Sequence, residues 1–166
     1  MINIYVGNAI SFISSVFLLL SSIAKSRRKI YLYQSLECLL LLFSQLCFGQ
    51  LAAALVMLFG VIRNLLLTVG KYNRIWMIVF FVLTAVIGIK INTGGYIGLI
   101  PVFATLAYTI STKYAKSYIN VKLSLLANLI LWSTYSFLIM DYVSATVNSL
   151  AAVLTLLSLL FRRVGT

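Results

Sequence analysis

The chain has 166 residues, of which 63% are apolar and 9% charged, and its formal net charge is +11. A soluble domain has about 45–50% apolar and roughly 25% charged residues, so this composition excludes a water-soluble globular protein and indicates an integral membrane protein. With no histidine and only two acidic residues, Glu37 and Asp141, the chain lacks the ligands and bases of metal centres, carboxylate pairs and histidine triads, and we expect no enzyme, no cofactor and no metal site.

Seven apolar segments follow one another along the chain, each close to the roughly 20 residues that a membrane-spanning helix needs. They do not alternate between apolar and polar residues as transmembrane β-strands do. The first segment has no basic residue before it and no cleavage motif after it, so we expect it to be retained rather than removed as a signal peptide. The sequence predicts an all-α integral membrane protein with seven transmembrane helices at about residues 4–24, 30–48, 51–70, 75–90, 96–112, 118–139 and 142–161.

The basic residues lie almost entirely in alternate connections between these segments. Short cytoplasmic loops of membrane proteins are enriched in lysine and arginine. The other connections carry Lys90 as their only basic residue. This distribution predicts that the N-terminus lies outside and the C-terminus in the cytoplasm. The positive net charge is therefore interpreted as a sign of membrane topology and not of a nucleic-acid partner. Lys122, near the cytoplasmic end of its segment, is expected to extend toward the headgroups. Ten basic residues follow the odd-numbered segments: Lys25, Arg27, Arg28, Lys29, Lys71, Arg74, Lys113, Lys116, Arg162 and Arg163.

A shift of the chain by 91 positions brings several residues into register without a gap. The Tyr-x-Gly motif at residues 5–7 recurs at 96–98, and Lys25-Ser26 recurs as Lys116-Ser117. Such a repeat indicates a duplicated unit of three helices.

Two units that face the same way need an odd number of helices between them, so the duplication predicts a 3+1+3 order. The fourth segment contains Thr84 as its only uncharged polar side chain, as expected of a lipid-facing connector. The predicted divisions are a first triple-helix unit at 1–70, a connector helix at 71–91 and a second triple-helix unit at 92–166.

With this plan the chain resembles the SWEET and PQ-loop superfamily over essentially its whole length. The basic turn at residues 25–29 and the Gly-Val-Ile-Arg-Asn segment at residues 60–64 resemble, more closely, the YgjV-type family of bacterial inner-membrane proteins. The resemblance implies a SWEET-like parallel repeat in the bacterial cytoplasmic (inner) membrane. It does not extend to the Pro-Gln dipeptide or to the core-helix prolines of SWEETs, because Pro101 is the only proline.

Two charged residues lie at matching depth inside the second and third segments. Glu37 precedes residue 50, in the predicted outer turn, by 13 positions and Arg63 follows it by 13, which places both about 20 Å below that turn. Because a lone charge inside a membrane is costly, we expect Glu37 and Arg63 to pair, with Asn64 and Gln34 satisfying the remaining hydrogen bonds. The pair would act as a static strut or as a cytoplasmic gate, and a third alternative is that either group reaches toward the headgroups.

Trp132 and Asn148 lie 8 positions before and after residue 140, in another predicted outer turn. An indole beside a carboxamide suits a sugar-like or heteroaromatic solute, and the pattern resembles a tryptophan and an asparagine on the second and third helices of a SWEET unit. Tyr135 could add a second aromatic wall, and Asn128 is the repeat counterpart of Glu37, so both complete the predicted substrate site. The alternative is that Trp132 packs in the core and Asn148 joins helices by a hydrogen bond.

Together, the residues and the resemblance predict a facilitative small-solute transporter. It would move a polar or heteroaromatic solute, such as a sugar, a nucleoside or a vitamin-like compound, by alternating access. A non-transporting membrane scaffold, sensor or assembly subunit is the alternative, and it would have a packed interior in place of a water-accessible cavity. The expected partners are the lipid bilayer and the solute, and the sequence leaves a homo-oligomer open.

Overall fold

The computed structural model describes residues 4–47, 51–92, 95–138 and 142–163, and these residues form seven α-helices. The all-α prediction is confirmed for this part of the chain, and each helix begins and ends within about three residues of its predicted segment. The turns predicted around residues 49–50 and 140 lie outside the described residues. The helices are α1 (Ile4–Ile23), α2 (Arg27–Cys47), α3 (Leu51–Thr68), α4 (Arg74–Lys90), α5 (Gly95–Tyr114), α6 (Tyr118–Leu138) and α7 (Tyr142–Arg163).

Five of these helices, α1, α2, α5, α6 and α7, are long and apolar enough to cross a membrane. The apolar part of α3, Ala53–Thr68, is shorter, and α4 has 17 residues. The bundle is therefore that of a membrane protein, and the count of seven crossings stays a prediction.

Neighbouring helices pack in two sets. In the first set α1 packs against α2 and α2 against α3, and in the second α5 packs against α6 and α6 against α7. The two sets meet where α1 packs against α7 and where α3 contacts α5. The remaining helix, α4, packs against α5 and α3.

The α1–α2 and α5–α6 turns make equivalent hydrogen bonds. Ser26 Oγ accepts from the backbone N–H of Lys29 at 3.3 Å, and Ser117 Oγ accepts from that of Asn120 at 3.2 Å. Each serine precedes the first residue of its helix, so its side chain caps an N–H that has no partner inside the helix. The Lys-Ser motif seen in the sequence is thus a helix cap that occurs twice.

Helix α4 buries one narrow face and exposes the rest. Phe80, Thr84 and Gly88 are buried and spaced four residues apart, so they lie on one side of the helix. A Cβ added at Gly88 would lie 2.6 Å from a methyl carbon of Val102, which shows how closely α4 approaches α5. The exposed side chains of α4 are large and apolar, as expected of a helix that faces lipid: Ile75, Trp76, Ile78, Val79, Val82, Leu83, Val86 and Ile89.

Lys122 is fully buried, with 0% of its surface exposed. Its Nζ donates to the backbone oxygen of Ser21 at 3.1 Å and to that of Ser22, and it lies 5.6 Å from the ring centroid of Tyr118. The expectation that Lys122 extends to the headgroups is therefore wrong. Because α1 ends at Ile23, its last carbonyls have no helical partner, and a lysine ammonium satisfies them.

Candidate functional site

A cavity of about 80 Å³ lies among all the helices except α4, within the described part of the chain. Since roughly 10–15 Å³ holds one water molecule, this space admits several waters or one small solute. Tyr135 is not among the residues that line it and packs edge-on against Trp132 at a ring-centroid distance of 5.8 Å. The cavity brings together the two groups of residues predicted separately from the sequence: Glu37, Arg63, Asn64, Asn128, Trp132 and Asn148.

Arg63 is 6% exposed and is held by neutral partners. Its Nη1 donates to Thr109 Oγ1 at 2.9 Å, and its Nε donates to Asn64 Oδ1 at 3.3 Å. The guanidinium carbon also lies 4.8 Å from the ring centroid of Tyr108, an arrangement in which the ring face attracts the cation. Helix α5 therefore supplies the main partners of this charge.

No ion pair within 4.0 Å joins Arg63 to Glu37, although both residues lie in the described part of the chain. The direct pair predicted from their shared depth is thus not formed. The physical reason is that α5 brings Thr109 and Tyr108 against α3, where they take the guanidinium. Both charges line the cavity instead, and a role in gating stays a prediction.

Asn64 is 1% exposed and fixes the orientation of Arg63. Its oxygen accepts from Arg63, and its Nδ2 donates to Cys38 Sγ at 3.8 Å. A Cβ added at Gly60 would lie 3.1 Å from the same sulfur, so α2 and α3 approach closely here. Both cysteines of the chain, Cys38 and Cys47, are free thiols.

Tyr108 and Gln34 form the next polar contact on the cavity wall. The Tyr108 hydroxyl donates to Gln34 Oε1 at 2.8 Å, which turns the Nε2 of the amide the other way. That Nε2 is buried and has no hydrogen-bond partner within the described structure. Buried polar groups usually have partners, so this donor is an exception that calls for a ligand or water.

Thr109 is anchored from the opposite side by Tyr72, which lies in the connection between α3 and α4. The Tyr72 hydroxyl donates to the backbone oxygen of Thr109 at 3.0 Å. Burial raises the pKa of Tyr72 to about 12, so this phenol stays protonated and continues to donate at neutral pH. The acceptor for Arg63 is therefore held firmly in place.

The α6 and α7 side of the cavity also carries amides with spare hydrogen-bonding capacity. Asn128 Oδ1 is buried and has no partner in the described structure. Asn148 Nδ2 donates to Ser144 O at 2.9 Å within its own helix, whereas Ser133 of α6 bonds to α7, with its Oγ 2.7 Å from Ser149 Oγ. Asn148 therefore makes no hydrogen bond to α6 in the described structure, and it lines the cavity.

Sequence reasoning missed the contribution of α5 to this site. Thr105, Tyr108, Thr109 and Thr112 are all buried, and their spacing of three and four residues puts them on one face of the helix. A polar stripe of this spacing in an otherwise apolar helix was the signal that could have indicated partners for Arg63.

The model of a family described as "Bacterial inner membrane protein" (Imp-YgjV) matches residues 5–164, a stretch that includes nearly all of every helix. No curated protein and no solved structure matches the chain.

Proposed function

The chain belongs to this Imp-YgjV family of bacterial inner membrane proteins, as its basic turn and its Arg-Asn segment predicted, and from that premise we propose that it transports a small polar solute through its central cavity. The observation that carries the proposal is the cavity itself, which Arg63 and Glu37 line and in which buried amide atoms of Gln34 and Asn128 have no hydrogen-bond partner within the described structure. Burying such groups in apolar surroundings is costly, and residues of this kind inside membranes usually mark the path of a solute or an ion.

Two features support a 3+1+3 parallel repeat of the SWEET type. A shift of 91 residues relates α1, α2 and α3 to α5, α6 and α7. Under this relation the α1–α2 contact corresponds to α5–α6, α2–α3 to α6–α7, and α1–α7 to α3–α5, and all six contacts are present. The matching serine caps of α2 and α6 agree. The proposed units are residues 1–70 and 92–166, joined by the connector at 71–91.

A small number of polar contacts hold the proposed units together in this conformation. Arg63 bonds to Thr109, Gln34 to Tyr108, and Lys122 to the end of α1, each across the boundary. In a fourth contact, Arg27 donates to the backbone oxygen of Lys116 at 2.6 Å. If the basic turns lie in the cytoplasm, the Lys122 and Arg27 contacts close the cytoplasmic side, and alternating access would break and remake them.

The volume of the cavity favours a solute of a few non-hydrogen atoms in this conformation. Binding pockets for drug-sized ligands are about 300–1,000 Å³, whereas this one is about 80 Å³. A sugar, nucleoside or vitamin-like solute would require the two units to separate. Glu37 is the one carboxylate among the described residues that line the cavity, and facilitated diffusion is the mode of transport that we propose.

Cys38 offers a direct test, because it lines the cavity and Cys47 does not. In the Cys47→Ser protein, reconstituted in one orientation, a small charged thiol reagent should modify Cys38 from either side as the cavity opens alternately. The matched control is Cys38→Ser with Cys47 retained, and modification in SDS shows that the thiol itself reacts. Protection of Cys38 from both sides in the folded protein would favour the alternative of a non-transporting scaffold, sensor or assembly subunit.

A further inference from the structure

We infer that the solute is a small zwitterion, with a carboxylate that binds Arg63 and Gln34 and an ammonium group that binds Glu37 and Asn128. This inference rests on the proposed function, since it names the chemical class of solute for the same cavity. The observation behind it is that a guanidinium and a carboxyl group line one cavity and that no ion pair within 4.0 Å joins them.

The positive part of the wall is built to bind a carboxylate. Arg63 has five N–H donors, and in the described structure its Nε and Nη1 have hydrogen-bond partners while its Nη2 has none. Asn64, Thr109 and the Tyr108 ring fix the plane of the guanidinium. The unpartnered Gln34 Nε2, on a residue that is 3% exposed, adds a second donor to the same cavity.

Tyr108 makes these two donors act together. Its ring lies against the Arg63 guanidinium while its hydroxyl holds the oxygen of Gln34. The amide nitrogen of Gln34 is therefore directed away from Tyr108. Charge-assisted bonds from a planar guanidinium, supported by a neighbouring N–H, are the usual means of binding a carboxylate.

The negative part of the wall is built from acceptors. Glu37 lines the cavity, and within the described chain no hydrogen bond or close ion pair satisfies its carboxylate. Asn128, its counterpart in the repeat, presents a buried Oδ1 that also has no partner. An ammonium group supplies three N–H donors and a positive charge, which match these two acceptors.

Other solute classes satisfy only part of this wall. A neutral polyol can form hydrogen bonds with it but brings no charge to Arg63 or Glu37, and a simple anion or cation brings a charge to only one of them. The cavity of about 80 Å³ also favours a molecule with few atoms. A short amino acid such as alanine meets the charge, hydrogen-bonding and size requirements together.

The inference can be tested first on the unmodified protein. L-Alanine, L-alaninamide, propionate and glucose are compared for their effect on thermal unfolding of the purified protein in detergent. The protection of Cys38 from alkylation by each of the four compounds is then measured in the Cys47→Ser protein. We expect L-alanine to stabilise the protein and slow alkylation, and the amide and propionate, which each lack one charge, to bind at least tenfold more weakly.

Two variants then assign the charges. Arg63→Gln and Glu37→Gln should each weaken alanine binding at least tenfold. Lys71→Gln makes the same kind of change at an exposed lysine outside the cavity and should leave binding unchanged. If Arg63→Gln does not fold, the comparison of alanine with its one-charge analogues still decides the question.

The outcomes separate this inference from the proposed function. Binding of glucose in preference to alanine, with flux of glucose into proteoliposomes, would overturn the zwitterion inference and leave transport standing. Binding of alanine without flux would support the zwitterion site and refute transport. Equal binding of alanine and propionate, or no binding by any of the four compounds, would overturn the inference.

Discussion

Replacing Lys122 by methionine should destabilise the protein by about 2 kcal/mol. The Lys122 ammonium makes two bonds to the carbonyls that end α1, and hydrogen bonds to a charged group contribute about 1.5–3 kcal/mol each. Loss of both would cost about 3–6 kcal/mol. Removing a buried charge recovers part of this cost because the ammonium no longer has to be desolvated. Methionine is one atom shorter than lysine and otherwise keeps an unbranched side chain, so the change leaves little new space.

The free energy of unfolding can be measured by titrating the detergent-solubilised protein with SDS and following helicity by circular dichroism. Lys29→Met is the matched control, since Lys29 is exposed in the first turn of α2 and should change the unfolding free energy by less than about 0.5 kcal/mol. If the two variants lose the same stability, or Lys122→Met loses none, Lys122 does not hold the end of α1 and the proposed cytoplasmic closure fails.

Three further predictions use the same titration. Gly88→Ala should cost about 1–3 kcal/mol because its methyl meets Val102, and adding Val102→Ala should recover most of that loss; no recovery would refute the close approach of α4 to α5. Gly70 has a φ of +72°, so Gly70→Ala should cost about 1–2 kcal/mol and Gly70→Asn clearly less; equal costs would contradict this. Ser26→Ala and Ser117→Ala should each cost about 1 kcal/mol, and a cost at only one site would refute their equivalence as caps.

Helix boundaries could be predicted because they depend on local sequence. Apolar runs end at basic clusters or at turn residues, and both can be identified in the amino-acid sequence. Depth along a helix is also simple arithmetic, at about 1.5 Å per residue. For that reason Glu37, Arg63, Trp132 and Asn148 could be assigned to the interior, and all four line one cavity.

The lateral neighbours of each residue could not be predicted in this way. Counting along α2 and α3 gives Glu37 and Arg63 the same depth, but it does not show that α5 turns Thr109 and Tyr108 toward α3. The burial of Lys122 has the same origin, because it depends on the docking of α6 against the end of α1. A single sequence contains no record of which helix faces are in contact.

The partner that Arg63 takes in place of Glu37 bears on how binding could be coupled to movement. Glu37 and Arg63 both belong to the first proposed unit, so a direct pair between them would have stiffened that unit alone. Arg63 instead bonds to Thr109 of the second unit. Its guanidinium also lies over the ring of Tyr108, whose hydroxyl donates to Gln34 of the first unit. On the proposed mechanism, a carboxylate binds the free Nη2 of Arg63 while Nη1 keeps its bond to Thr109, so the solute and the contact between the two units share one guanidinium. A solute shifts the equilibrium between the open and the closed state only to the extent that it binds one state more tightly than the other. Thr109→Val removes the acceptor that orients the guanidinium with little change of shape, so it should weaken both alanine binding and the closed state; unchanged alanine binding in this variant would refute the orienting role of Thr109.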